Sequence, residues 1–370
     1  MHKHPPLAWF VVLPAVLLWL AACTPAPAPS PTATPARPLP ATVPVTPAAK
    51  PAAGEQTVAD FYRGKTVRLI VGFSAGGGYD AYSRVIAKYL GKYVPGSPMV
   101  IVENLDGAGS IVAANAVANT LPKDGTVIGN IGGPIVLEQL FGTPGVQFDM
   151  AKFQYLAVPT PETYVMIVHQ RVGITEFDEL LGPQAKQVVV GGIPGSTVEH
   201  APVLLRDALG AKIKLVSGYE GTSKVRLALD TGEVDGFFNT WQSVKITNFE
   251  DVQRGTWRLL LQLTDQPLQN LPYPLPTILD VAKTDDQRQL LLFGTSYPNK
   301  FGKVYVVAPE VPADRAAPLQ AALDGDLPGS SDAVECEQGK ARPRAGTWRA
   351  RAGHPARSPI DPGTHQEKLK

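Results

Sequence analysis

One stretch, Thr66-Val67-Arg68-Leu69-Ile70-Val71-Gly72-Phe73-Ser74-Ala75-Gly76-Gly77-Gly78-Tyr79-Asp80, constrains the fold more than any other part of the chain. Val67, Leu69, Ile70 and Val71 make a near-continuous apolar run, which predicts a strand buried on both faces. Gly76 to Gly78 follow, where the backbone can take angles that side chains forbid and a ligand can approach the main chain. Asp80 is then placed to cap a helix with Tyr82, Val85, Ile86, Tyr89 and Leu90 spaced along one face. A helix N-terminus beyond the carboxyl end of a strand is a ready anion site.

The formal charge of +1 lacks the basic surplus that nucleic-acid binding needs. With 44% apolar and 18% charged residues, the 370-residue chain is globular and long enough for two domains. Its 36 prolines are unusual and concentrate near the start. Two cysteines, Cys23 and Cys336, are too few for a disulfide framework or a cysteine-ligated metal.

Residues 1–22 have the form of an export signal: a basic start at His2-Lys3-His4, then an apolar run from Leu7 to Leu20. Leu20-Ala21-Ala22-Cys23 resembles the lipobox of bacterial lipoproteins, which implies lipidation of Cys23; an ordinary signal peptide is the alternative. Residues 23–58 read as a linker, and from Thr24 to about Gly54 they are almost all Pro, Ala, Thr and Ser. Such a segment stays extended at about 3 Å per residue, a semi-rigid spacer on the order of 90 Å.

The remaining pattern alternates strands and helices. Strands are expected at Met99–Glu103 and Thr126–Ile131, with a glycine turn at Gly107 and Gly109 and a helix over Ser110–Asn119. An apolar segment over Phe153–Val168, broken by Pro159-Thr160-Pro161, reads as a connection between domains. A second αβ set follows: strands Gln187–Val190, Lys212–Val216 and Glu233–Phe238, with helices over Ser196–Leu209 and Ser223–Asp230. A strand at Trp257–Leu263 is expected to return the chain to the first lobe, completed by a helix near Leu279–Leu292 and strand Lys303–Ala308. The expectation is an α/β, two-lobed fold with a cleft: lobe 1 over residues 59–160 and 258–327, lobe 2 over residues 161–257. In residues 328–370 the patterning stops, and five arginines sit among Pro, Gly and Ala. A basic tail and a solvated disordered tail are alternatives, but the abrupt change favours out-of-frame sequence replacing a native C-terminal segment.

Gly72-Phe73-Ser74-Ala75-Gly76 matches the G-x-S-x-G nucleophile elbow. A serine hydrolase using Ser74 would need a histidine partner, yet outside leader and tail only His169 and His200 occur, neither in a late loop. The phosphate-loop ending G-K-[ST] is missing, as are H-E-x-x-H and paired cysteines, so neither a metal nor a cofactor is expected. Binding remains. Ser196-Thr197-Val198-Glu199 is a capping-box pattern behind Gly195, and it supplies a helix end in the second lobe. One helix end contributes roughly 0.3–1 kcal/mol against the about 8 kcal/mol of micromolar binding, so side chains and closure must supply most of it. The candidate side chains are Ser74, Thr197, Tyr219 and Asn239.

Residues from about Phe61 to Ala322 resemble the solute receptors of tripartite tricarboxylate transporters, the Bug-type extracytoplasmic binding proteins. The similarity is carried by Val67–Val71 with Gly76–Asp80, Val102-Glu103-Asn104 with Gly107-Ala108-Gly109, Pro122–Thr126, Gly232–Asp235 and Leu275-Pro276-Thr277, in order. It implies a two-lobed, type II periplasmic-binding-protein (Venus-flytrap) fold, without enzymatic activity, closing on a small carboxylate. Delivery to membrane permease subunits is implied, or presentation to a membrane sensor. The carboxylate grip falls on the loop Ser74, Ala75, Gly76, Gly77, Gly78, Tyr79 and Asp80, with Phe73 just before it as a further ligand contact. Pro159, Thr160, Gly195, Ser196, Thr197, Tyr219 and Asn239 complete the expected site. The expected receptor is an exported, lipid-anchored monomer facing the periplasm or cell exterior.

Overall fold

Residues 57–159 and 161–324 are described in the computed structural model. The leader, Cys23, the Pro/Ala spacer as far as residue 56, Thr160 and the tail beyond 324 lie outside them. Helix α1 (Val58–Tyr62) leads into β1 (Thr66–Val71), where Val67, Leu69, Ile70 and Val71 are buried and Thr66 and Arg68 half-buried. Parallel strands β2 (Met99–Asn104) and β3 (Val127–Gly132) flank it. Crossovers run through α2 (Gly78–Tyr93) and α3 (Ile111–Asn119), as parallel pairing requires. After α4 (Ile135–Leu140), β4 (Gln154–Ala157) reaches the sheet's far edge. The chain then leaves for the second lobe at β5 (Tyr164–His169).

The second lobe repeats the design. Strand β6 (Val188–Gly192) leads through α5 (Thr197–Leu209) to β7 (Ile213–Ser217), then through α6 (Thr222–Thr231) to β8 (Gly236–Thr240). Helices α7 (Trp241–Thr247) and α8 (Phe249–Gln253) precede β9 (Trp257–Leu263). Next come α9 (Ile278–Val281), α10 (Asp285–Leu291), a π-helical turn at Leu292–Ser296 and α11 (Tyr297–Asn299). Strand β10 (Lys303–Val307) and α12 (Ala313–Asp324) close the described chain in the first lobe. The strand orders are β2-β1-β3-β10-β4 and β7-β6-β8-β5-β9. In each, a central strand opens a parallel βαβαβ unit and antiparallel strands finish the sheet.

The strand Trp257–Leu263 does not return the chain to lobe 1. It pairs antiparallel with β5 in the second sheet, from Tyr164↔Leu263 to His169↔Trp257. An apolar run suits either sheet, and the partner is chosen by the continuous helical stretch that follows. Leu291, Leu292 and Gly294 of that stretch are buried, with Gly294 close against Leu204 of α5. The second crossing therefore falls between Asn299 and Lys303, so residues 258–299 belong to lobe 2. The first crossing lies between β4 and β5, which belong to different sheets.

A buried ion pair joins the two crossings. Lys303 Nζ donates to Glu162 Oε1, and both side chains are almost wholly shielded from solvent. The ammonium also lies 4.8 Å from the ring centre of Tyr79 and 4.6 Å from that of Tyr82. Tyr79 donates to Glu162 Oε2 at 2.9 Å, with the Gly302 carbonyl at 3.2 Å. Burial, reinforced by the Glu162 charge, pushes the Tyr79 phenol well up, so it stays protonated and remains a donor.

Candidate functional site

The β1–α2 loop turns on Gly76, which has φ +76°, where other residues would be strained. Asp80 does not cap the helix as the spacing suggested. Gly77 is the N-cap and supplies no side-chain acceptor. Asp80 is the third residue of the helix, within its first turn, and accepts from the Gly76 N–H at 2.9 Å while pairing with Arg84. Burial opposes its ionisation, but Arg84 and the Gly76 N–H win and hold its carboxyl below the usual range. The second lobe makes the same closure: Gly195, φ +72°, donates to Glu199 Oε2 at 3.0 Å. Ser196 accepts from the Val198 N–H at 3.2 Å.

The two lobes meet along a seam of small residues. Ser74 Oγ lies 3.0 Å from Ser223 Oγ, and Ser223 in turn donates to the Ala75 carbonyl at 2.9 Å. That fixes the direction of the relay, with Ser74 donating to Ser223. Arg226 donates to the Gly76 carbonyl at 2.8 Å. Gly221 faces Ser74 and Gly78 faces Ser243 so closely that a Cβ on either glycine would overlap the opposing hydroxyl. At the other end of the cleft a Cβ on Gly109 would stand 2.5 Å from the Pro194 carbonyl oxygen. What faces the β1–α2 loop is thus the start of α6, at Gly221–Ser223, while Gly195 faces Ala108 and Gly109. Outside the seam, His200 Nε2 on α5 meets Glu138 Oε1 on α4 at 2.8 Å.

Between the lobes lies an enclosed cavity of about 20 Å³, room for little more than a water molecule, so any larger ligand enters only when the lobes part. Of the expected residues, Phe73, Gly77, Gly78, Tyr79, Ser196 and Asn239 line it. Asn239 is the telling one. It is 2% exposed, its Oδ1 accepts from the Thr240 N–H, and its Nδ2 is buried without a hydrogen-bond partner among the described residues. A buried orphan donor costs about 1–3 kcal/mol unless something accepts from it. Two helix starts without side-chain caps, α2 at Gly77 and α6 at Gly221, border the same space through Gly77, Gly78 and Thr222. The arrangement offers donors and positive dipole ends, and it suits an acceptor group with negative charge.

Other expected residues fall elsewhere. Ser74, Ala75 and Gly76 form the lip of the cleft, bonded to α6. Thr197 is buried beside the cavity and donates to Asn299 Oδ1 at 2.8 Å, which couples α5 to α11. Tyr219 is not among the lining residues. Its hydroxyl donates to Glu233 at 2.6 Å, and desolvation followed by that carboxylate pushes the phenol up to about 12. Pro159 lies in the connection between β4 and β5. Lining residues that the sequence left unmarked are Tyr164, Ile193, Val198, Thr222, Thr240 and Ser243. Gly221-Thr222-Ser223, a glycine before hydroxyl residues at a helix start, was the available signal for one of them.

Neither histidine of the described residues is placed to activate Ser74. His200 is engaged with Glu138, and His169 accepts from the Arg171 N–H at 3.1 Å. Among the described residues no cluster of metal-binding side chains occurs, and no helix is long and apolar enough to cross a membrane.

No family model matches the chain. The UPF0065 protein in the gbd 5'region of Cupriavidus necator is 38% identical over 80 residues, 22% of this chain and 24% of that protein. The match thus spans about a quarter of the relative's length. Among solved structures, the periplasmic binding protein BugD aligns with a TM-score of 0.58 at 17% identity, over 75% of this chain and 93% of its own. MatC from Rhodopseudomonas palustris, with bound malate, aligns at 0.55 and 18% identity, over 75% and 88%. R. palustris Rpa4515, with adipate, aligns at 0.56 and 21% identity, over 72% and 85%. The chain has the two-lobed α/β fold of periplasmic binding proteins.

Proposed function

We propose that the chain is an extracytoplasmic solute-binding receptor of the Bug type, without enzymatic activity, that captures a small carboxylate between its lobes. One observation carries the reading: the buried Asn239 amide, without an acceptor of its own, opens on a cavity bordered by two helix starts that lack side-chain caps. Closure supplies the rest of the affinity, because the Ser74–Ser223, Ala75–Ser223 and Gly76–Arg226 bonds form only when the lobes meet. The ordered family segments of the sequence, and the malate and adipate held by proteins of the same fold, support a carboxylate as ligand. Delivery to the permease of a tripartite tricarboxylate-type transporter, export, a monomeric state and a lipid anchor on Cys23 belong to the same proposal.

The test is thermal unfolding of the protein with a panel of small carboxylates. A ligand at a hundredfold excess over its Kd stabilises by about 2.7 kcal/mol. No shift with any carboxylate, or ester turnover abolished by Ser74→Ala, would overturn the receptor reading. Uptake of the active compound into vesicles carrying the permease, with and without the protein, tests delivery.

A further inference from the structure

The cavity lining is polar at one end, apolar at the other, and uncharged throughout. Gly78 packs on Ser243 Oγ, Gly77 on Thr222 Oγ1, and Thr240 donates to Ser243 Oγ at 2.7 Å, which gathers the polar groups beside Asn239. The opposite end is Phe73, Ile193 and Val198 with one hydroxyl, Ser196, already committed: it donates to the Ile193 carbonyl at 2.8 Å and accepts from the Val198 N–H at 3.2 Å. The Phe73 ring tip lies 3.2 Å from where a Cβ of Gly132 would stand, on the side where Gly109 meets Pro194 and Gly195. Tyr79 stands between, its ring centre 4.2 Å from that of Phe73. No Arg, Lys, His, Asp or Glu is among the described lining residues.

We infer that the ligand carries one carboxylate on an apolar body, branched or aromatic, rather than two or three carboxylates. The inference rests on the receptor reading above and narrows its ligand class. A single carboxylate accepts up to about four hydrogen bonds, which Asn239 Nδ2 and the main-chain N–H groups of the α2 and α6 starts can provide. A second carboxylate would lie against Phe73, Ile193 and Val198, a buried charge without a partner. The nearby cations are already engaged, Arg226 with Gly76 and Asn248, Arg84 with Asp80 and Lys303 with Glu162, and the His200 ring is bonded to Glu138. The same pairings withhold a carboxylate from the ammonium of an amino acid.

Calorimetric titration of the protein with isobutyrate and benzoate, against succinate, malate and glutamate at matched ionic strength, tests this. Isobutyrate or benzoate is expected to bind roughly a hundredfold or more tighter than the other three, the cost of an unpaired buried charge. If succinate, malate or glutamate binds within about tenfold of the better monocarboxylate, or tighter, the inference is overturned while the receptor reading stands. Binding by none of the five removes the receptor reading and the inference with it. Benzamide is the neutral control: affinity equal to that of benzoate would overturn recognition of the charge.

Discussion

Ser74 and Ser223 lie on opposite lobes, and their hydroxyl oxygens stand 3.0 Å apart. The contact is possible because the residue facing Ser74 beside Ser223 is Gly221, whose missing Cβ makes room for the Ser74 hydroxyl. Gly221 has φ 174°, extended backbone that any residue adopts, so its glycine serves the seam and not the turn.

Gly221→Ala should therefore hold the lobes apart without unfolding either one. The expected result is unchanged circular dichroism, at least about a tenfold loss of ligand affinity, and no ligand-induced decrease in radius of gyration by small-angle scattering. Wild-type compaction in the variant would show that the seam is not the closure surface.

Asn239→Asp keeps the oxygen that accepts from the Thr240 N–H and replaces the orphan donor by a negative charge. Carboxylate affinity should fall by on the order of a hundredfold or more, since a charge-assisted donor becomes a like charge. Titration calorimetry reads this directly. Asn239→Ser, smaller and neutral, should lose less than the Asp variant.

Lys303→Met leaves Glu162 buried without its cation and is expected to cost about 3–5 kcal/mol in urea unfolding. The double variant Lys303→Met, Glu162→Gln should recover part of that loss, because the uncompensated charge is gone. Strict additivity of the two single changes would mean that the pair is not coupled.

The Glu138–His200 contact ties α4 of one lobe to α5 of the other. The His200 hydrogen bond holds the Glu138 carboxyl below its ordinary 4.5; burial opposes this and Thr143 assists it. With the folded value below the unfolded one, this contribution to stability is complete above about pH 4.5 and is lost as pH falls through the folded value. The melting temperature of wild type should exceed that of Glu138→Gln near neutrality, and the gap should close on acidification. A gap that widens in acid would contradict the assignment.

The sequence made the glycine loop and the alternation of strands and helices readable, because buried parallel strands are apolar runs and tight turns need glycine. Asn239 was readable as a polar residue ending such a run. The lobe that takes Trp257–Leu263 was not, since its apolar run fits either sheet and only the helical stretch after it decides. The half of the cleft facing Ser74 was also hidden. Whether the start of α5 or of α6 lies opposite depends on how the lobes approach. Glu162 and Lys303 are 141 residues apart, and no local pattern links them. The short helices α4, α7 and α8 lack enough turns to show a helical period.

The most direct test of the central claim is a crystal structure of the protein grown with benzoate. The expected result is a carboxylate oxygen about 2.7–3.2 Å from Asn239 Nδ2, with its partner oxygen facing the start of α2 or α6. A benzoate bound elsewhere, or one seated in the cleft with its carboxylate turned toward Phe73 and Ile193, would contradict the account.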